Sequence, residues 1–303
     1  MHKVTWQCAR FASGGGSTNL GLLVGVFVVL AMVPAIAYAA PTPSCADSWC
    51  RYTPYPWPHD GLPYQSENVT VYSDSASDVV KSMVASAIED VLSEIEQALG
   101  IEDAALYEFP LGRDKIDLYV DLSRPVIWGG WAYYSGFLVS SIVCSEMSCH
   151  KQTLKHEMMH VVAYLLEGYR STDIMYTPTW FDEGLAEFVS GARYIGNPYS
   201  LRVYRDRIAP YVEDGNPIRV HTWSDFNPPN SALYGEGLYP MFELAVRYLV
   251  DENGLGRTLE DVRNVFLDIR AGLTFAEAFE NRFGFSPAEY EASFFDRIAN
   301  FLE

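Results

Sequence analysis

The chain has 303 residues, 49% of them hydrophobic, and its 39 acidic against 21 basic residues leave a net charge of −18 and a pI near 4.7. Nucleic acid is not an expected partner, because binding phosphates needs concentrated positive charge. The length is ample for one two-lobed domain with a sizeable core, and no internal repeat interrupts it.

Residues 1–39 carry Lys3 and Arg10, no acid, and an uncharged run from Leu20 to Ile36 that ends at Ala37-Tyr38-Ala39. Small residues at that spacing suit signal peptidase, so 1–39 reads as a secretory signal, with an uncleaved N-terminal anchor as the alternative. Both basic residues precede the apolar run, so either reading places the rest of the chain outside the cytoplasm, with the membrane reached only through such an anchor. Cleavage after Ala39 would take the net charge from −18 to −20, the surface of an acidic, dispersed exoprotein.

Residues 40–66 form a Pro- and Cys-rich linker, or a strap packed on the domain, with Pro54-Tyr55-Pro56-Trp57-Pro58 resisting regular structure. Four cysteines remain after signal removal: Cys45, Cys50, Cys144 and Cys149. An even number in an oxidising compartment reads as disulfides. Local bridges, Cys45 to Cys50 and Cys144 to Cys149, are preferred among three pairings, and a second zinc site is the rival use of these thiols.

Val69 to Tyr72 reads as a strand, and Ser77 to Leu99 as a helix through Val80, Val84, Ile88, Val91, Leu92 and Ile95, stopped by Gly100. Lys115 to Leu122 alternates as a strand, and the aromatic stretch Gly129 to Val139 reads as an edge strand able to pair with extended peptide, or as a plain core strand. Lys151 to Glu167 then runs without Gly or Pro up to Gly168, with Leu154, Met158, Val161 and Leu165 as its apolar stripe.

That helix contains His156-Glu157-Met158-Met159-His160. Histidines four apart stand one turn above the other and can reach one ion, while the offset of Glu157 suits a general base acting on water rather than a ligand. Pro178 and Thr179 look like the next helix start, with Thr179 as the cap and Asp182 as its reciprocal partner, which puts Glu183 in the first turn. Two His and one Glu leave a fourth tetrahedral position open, the pattern of catalytic zinc. Glu187, one turn beyond Glu183, can accept the free ring N–H of a ligating histidine.

The sequences HEMMH and WFDEGLAEF resemble the gluzincin metallopeptidases, and within them the peptidase MA-like group, with a more distant similarity to aminopeptidase N and thermolysin. The resemblance extends over 67–303 through Tyr234-Gly235-Glu236-Gly237, the run to Val250, Thr274 to Phe279 and Phe283-Gly284. It implies one Zn²⁺ per chain held by His156, His160 and Glu183, with Glu157 as the base and a downstream Tyr or His as oxyanion donor. Tyr234, where glycines let the backbone approach a cleft, is the first choice for that donor and His221 the second. In place of the Gly-x-Met-Glu-Asn segment by which the aminopeptidases of this clan hold a free amine, residues 129–139 contain no acid.

The expected architecture is α+β: a small sheet-bearing N-terminal lobe, then a mostly helical C-terminal lobe with helix starts at Thr258, Thr274 and Ser286-Pro287. In this zincin-like arrangement the active-site helix lies at the cleft. The expected activity is that of a secreted or surface-anchored zinc endopeptidase acting on peptide or protein. The alternatives are an inactive gluzincin-fold binding module and a zinc hydrolase of a non-peptide bond.

Overall fold

The computed structural model of the chain describes residues 62–73, 75–103, 106–109, 114–121, 130–133, 136–140, 149–168, 177–191 and 234–299. For 121, 130–133, 136–140, 234–237, 295 and 298–299 only the backbone is described. The signal or anchor at 1–39 and most of the 40–66 linker lie outside these residues, as do Cys45, Cys50, Cys144 and His221. Among the described residues, no helix is long and apolar enough to cross a membrane.

Five strands form one mixed sheet: β1 (Tyr64–Gln65), β2 (Val69–Tyr72), β3 (Ile116–Asp121), β4 (Gly130–Tyr133) and β5 (Gly136–Ser140), in the order β1-β2-β3-β5-β4. The pairs β2/β3 and β3/β5 are parallel, and both outer pairs are antiparallel. The helix α1 (Asp78–Leu99) makes the crossover from β2 to β3. It starts where the Ser77 hydroxyl accepts from Val80 N, and it stops at Gly100, whose φ of 64° is open to glycine at little cost. Its stripe Val84, Ile88, Val91 and Ile95 is fully buried, as are Val69, Val71, Leu118 and Val120 of the sheet.

Two readings of the sequence are corrected here. The stretch Gly129 to Val139 is not one strand but the hairpin β4/β5, in which β5 is internal and β4 alone is an edge. Period-two patterning marks strands but leaves unmarked the reversal that divides them. The end of the 40–66 linker also belongs to the sheet, since Tyr64 and Gln65 pair with Val71 and Thr70, and Lys81 Nζ donates to the Leu62 carbonyl at 2.8 Å. Pairing of that kind is tertiary, and two residues are too few to show periodicity.

Among the described residues six further helices follow: α2 (Lys151–Glu167), α3 (Thr179–Ser190), α4 (Tyr234–Val250), α5 (Leu259–Arg270), α6 (Phe275–Phe283) and α7 (Pro287–Ala299). The described fold is therefore mixed, one sheet with a predominance of helix. Reciprocal capping at Thr258/Asp261, Thr274/Glu277 and Ser286/Glu289 starts α5, α6 and α7, as the sequence leads one to expect. Each cap is worth about 1 kcal/mol. The larger stabilisation comes from an aromatic cluster in which Trp180 and Phe181 of α3 pack on Phe275, Phe279 and Tyr290. Trp180 also donates from Nε1 to Glu291 at 3.1 Å. That packing anchors the first turn of α3, the turn that carries Asp182 and Glu183.

The helix α2 lies against α1, α3, α5 and the hairpin strands β4 and β5, so it runs between the sheet edge and the helical part. On the other side of α3 comes α4, and Gly184 lets the two backbones meet. A methyl carbon at Gly184 would stand 2.3 Å from the Phe242 carbonyl oxygen, a distance that no relaxed structure holds.

Candidate metal centre

The histidine spacing becomes a site because α2 is a regular helix at that point. His150 opens it by accepting from Thr153 N, and Gly168 closes it in the left-handed conformation. One turn apart on this helix, the His156 and His160 rings have centroids 4.9 Å apart, and their Nε2 atoms lie 3.3 Å from each other. Glu183, from the first turn of α3, places Oε2 3.3 Å from His156 Nε2 and 3.4 Å from His160 Nε2.

These three atoms form an almost equilateral triangle. Tetrahedral coordination with bonds of about 2.0–2.1 Å puts neighbouring ligand atoms about 3.3–3.4 Å apart, which matches every edge. Octahedral magnesium, with similar bonds at right angles, would need about 2.9 Å and oxygen donors. Imidazole nitrogens likewise disfavour calcium. Glu183 Oε2 is buried with no hydrogen-bond partner in spite of these neighbours, an orphaned acceptor facing two imidazoles. The donor set thus fits a divalent ion of zinc type, and among the described residues His156, His160 and Glu183 form a group that can hold one.

The far side of each ring is oriented by an acid. His156 Nδ1 lies 3.3 Å from Glu187 Oε1, as the one-turn spacing after Glu183 predicts. His160 Nδ1 lies 3.1 Å from Asp182 Oδ1. With the proton on Nδ1 in both rings, both Nε2 lone pairs point into the triangle.

Asp182 is the residue that sequence reasoning missed, because it was assigned to the helix cap. Pro178, not Thr179, holds the N-cap position, with no side-chain cap; its carbonyl accepts from Phe181 N at 2.9 Å and Asp182 N at 3.1 Å. Thr179 is the first residue of the helix and fully buried. The signal available in the sequence was the Asp-Glu pair itself: adjacent helical residues are rotated by about 100°, so one can reach the ion while its neighbour reaches a ring from the side.

Charge balance favours a cation in the triangle. Burial pushes the His156 imidazole down, yet the facing carboxylates of Glu183 and Glu187 outweigh it and bring it up to about 10. His160 is also lowered by burial and raised further by Asp182 and Glu183, to well above the usual histidine range. Burial raises Glu183, but the charges of His160 and His156 hold it well below the usual carboxylate range.

Glu157 is half-buried on α2 between the two ligand positions. Tyr234 is the first residue of α4, and its side chain lies outside the described residues. The same helix brings a different tyrosine to the centre: the Tyr239 ring is 6.3 Å from the His156 ring at 62°. Cys149, two residues before α2, is disulfide-bonded, and its partner lies outside the described residues.

If the two acids orient the rings, Asp182→Asn and Glu187→Gln should each weaken zinc binding by about 10- to 100-fold with little change in far-UV circular dichroism. Competition against a chromophoric chelator measures this, and unchanged affinity in either variant removes that acid from the role.

No family profile matches this chain, and no curated protein matches it.

Proposed function

We propose that the chain is a zinc-dependent metallopeptidase of gluzincin type with a zincin-like fold, secreted or held at the cell surface, and that it cuts inside peptide chains. The observation that carries this reading is the triangle of His156, His160 and Glu183 with tetrahedral edges, each imidazole backed by its own acid. Glu157 favours catalysis over a purely structural site, which would have no use for a carboxylate beside its ligands.

Zinc, when bound, would supply a Lewis acid for the scissile carbonyl and make water acidic enough to ionise near neutral pH. Glu157 takes the proton from the attacking water and returns it to the leaving amine. Glu187 and Asp182 hold the imidazoles in one tautomer throughout. Tyr234 is the proposed donor to the tetrahedral oxyanion, with Tyr239 now a second candidate on the same helix and His221 a third. Edge strand β4 lies beside α2 and suits an extended substrate added to the sheet. The absence of an acid in residues 129–139 supports internal cleavage over removal of N-terminal residues. Outside the cytoplasm, the disulfide at Cys149 is at home.

The test is a cleavage profile of the protein on a mixed peptide library, with and without chelator. Internal cuts that disappear with chelator and return with zinc are expected. Stepwise loss from the amino end overturns the endopeptidase reading. Tight zinc binding with no cleavage makes the protein a binding module or a hydrolase of another bond.

A further inference from the structure

The two helices that carry the ligands meet along one stripe of α2. Residues four, seven and eleven positions after His156 return to within about 40° of its direction, so His160, Ala163 and Glu167 share its face. Along that face the partners from the α3 segment come in reverse order. His156 Nδ1 lies 3.3 Å from Glu187 Oε1, His160 Nδ1 lies 3.1 Å from Asp182 Oδ1, and Glu167 Oε1 accepts from Thr177 Oγ1 at 2.6 Å. The helices therefore run antiparallel here, and the Glu167–Thr177 bond is the last rung, about 10 Å along α2 from His160.

Glu167 and Thr177 are each 4% exposed. On general grounds an acid is a poor choice at this position. Glu167 is the last residue of α2, where the backbone carbonyls already carry partial negative charge, and burial adds a desolvation cost. What a hydrogen bond can do there, and apolar packing cannot, is set a distance. Burial of apolar surface is non-directional and tolerates a small slide of one helix along another, whereas a short bond from a hydroxyl to a carboxylate fixes the axial offset. A metal ion demands such an offset, because its ligand atoms must hold their distances to about 0.2 Å. Two of the three ligands are on α2 and the third is on α3.

We propose that Glu167 is a positioning residue of the candidate metal site: through its hydrogen bond with Thr177 it holds α3 in axial register with α2, so that Glu183 closes the triangle with His156 and His160. This rests on the reading of those three residues as a zinc site. Thr177 directly precedes Pro178, the N-cap of α3, so its position is passed straight into the first turn, which carries Asp182 and Glu183. Loss of the bond leaves each ligand on its own helix and loosens the two edges that join Glu183 to the imidazoles. The edge between His156 and His160 is set within α2 and stays as it is.

The experiment compares the full chain with Thr177→Val, which keeps the shape and removes the donor. Zinc affinity is read by chelator competition, and the unfolding temperature of the metal-free protein is measured beside it. Thr258→Ala serves as the control, since it lowers stability by removing the cap of α5, a helix that carries no ligand. Thr177→Val should bind zinc about 3- to 10-fold more weakly, a smaller loss than for an acid that touches a ligating ring. Thr177→Ser, which keeps the hydroxyl, should bind as the native protein does, and so should Thr258→Ala in spite of its lower unfolding temperature. Native affinity in Thr177→Val, or an equal loss in Thr258→Ala, overturns the proposal. Should Thr177→Val fail to fold, two changes at Glu167 decide. Glu167→Asp shortens the reach and must weaken zinc binding, whereas Glu167→Gln keeps the reach and the accepting oxygen and must not; equal affinities in the two overturn the proposal. A native protein that binds no zinc instead overturns the metal site itself, and this proposal with it.

Discussion

Glu157→Gln is expected to bind zinc as tightly as the native protein, to unfold at the same temperature, and to lose about 10²- to 10⁴-fold in turnover. An amide fills the same space and keeps a hydrogen-bonding oxygen, but it cannot accept a proton from water and pass it to the departing amine. Because Glu157 lies between the two ligands on α2 without belonging to the triangle, binding and chemistry should separate. The measurements are zinc content after dialysis and kcat on any peptide that the native chain cuts. Native kcat in a zinc-loaded Glu157→Gln would end the proposed mechanism.

Glu183→Ala should remove metal binding almost entirely and leave the protein folded. The ligand triangle loses one corner and keeps two imidazoles with no geometry to define a tetrahedron. In the native protein, a pH dependence should accompany this. The folded-state value of His156 lies above that of a free imidazole, so without metal it adds stability that is complete below about pH 6.5 and lost as pH rises through about 10. Glu183 is held low, so its contribution is present above the usual carboxylate value and lost only in strong acid. At pH 7 the facing acids therefore hold both imidazoles of the metal-free cluster protonated, so zinc binding should be accompanied by proton release from the triangle. Calorimetry in buffers of different ionisation enthalpy counts it. No proton release in the native protein, or full zinc occupancy in a folded Glu183→Ala, contradicts the ligand set.

The candidate metal site was legible in the sequence where its geometry is local. A helix dictates that residues four apart share a face, so His156 with His160, and Glu183 with Glu187, follow from spacing alone once each helix is recognised. Capping at Thr258, Thr274 and Ser286 is equally local and was read correctly. Sequence also named Glu183 as the third ligand across 23 positions, through its resemblance to a zinc-binding pattern and not through any rule of local geometry.

What tertiary structure decided is which of several possible partners each polar group takes. Asp182 could have closed a cap or oriented a histidine; packing of Trp180 and Phe181 on the C-terminal helices turned it toward His160. Gly184 looked like any helical glycine until α4 came within contact of it. The division of residues 129–139 into two strands likewise depended on β3 being there to pair with the second. Local periodicity specifies which face of an element is apolar, whereas the neighbour that covers it, and the charges that the neighbour brings, are set by contacts between residues far apart in the chain.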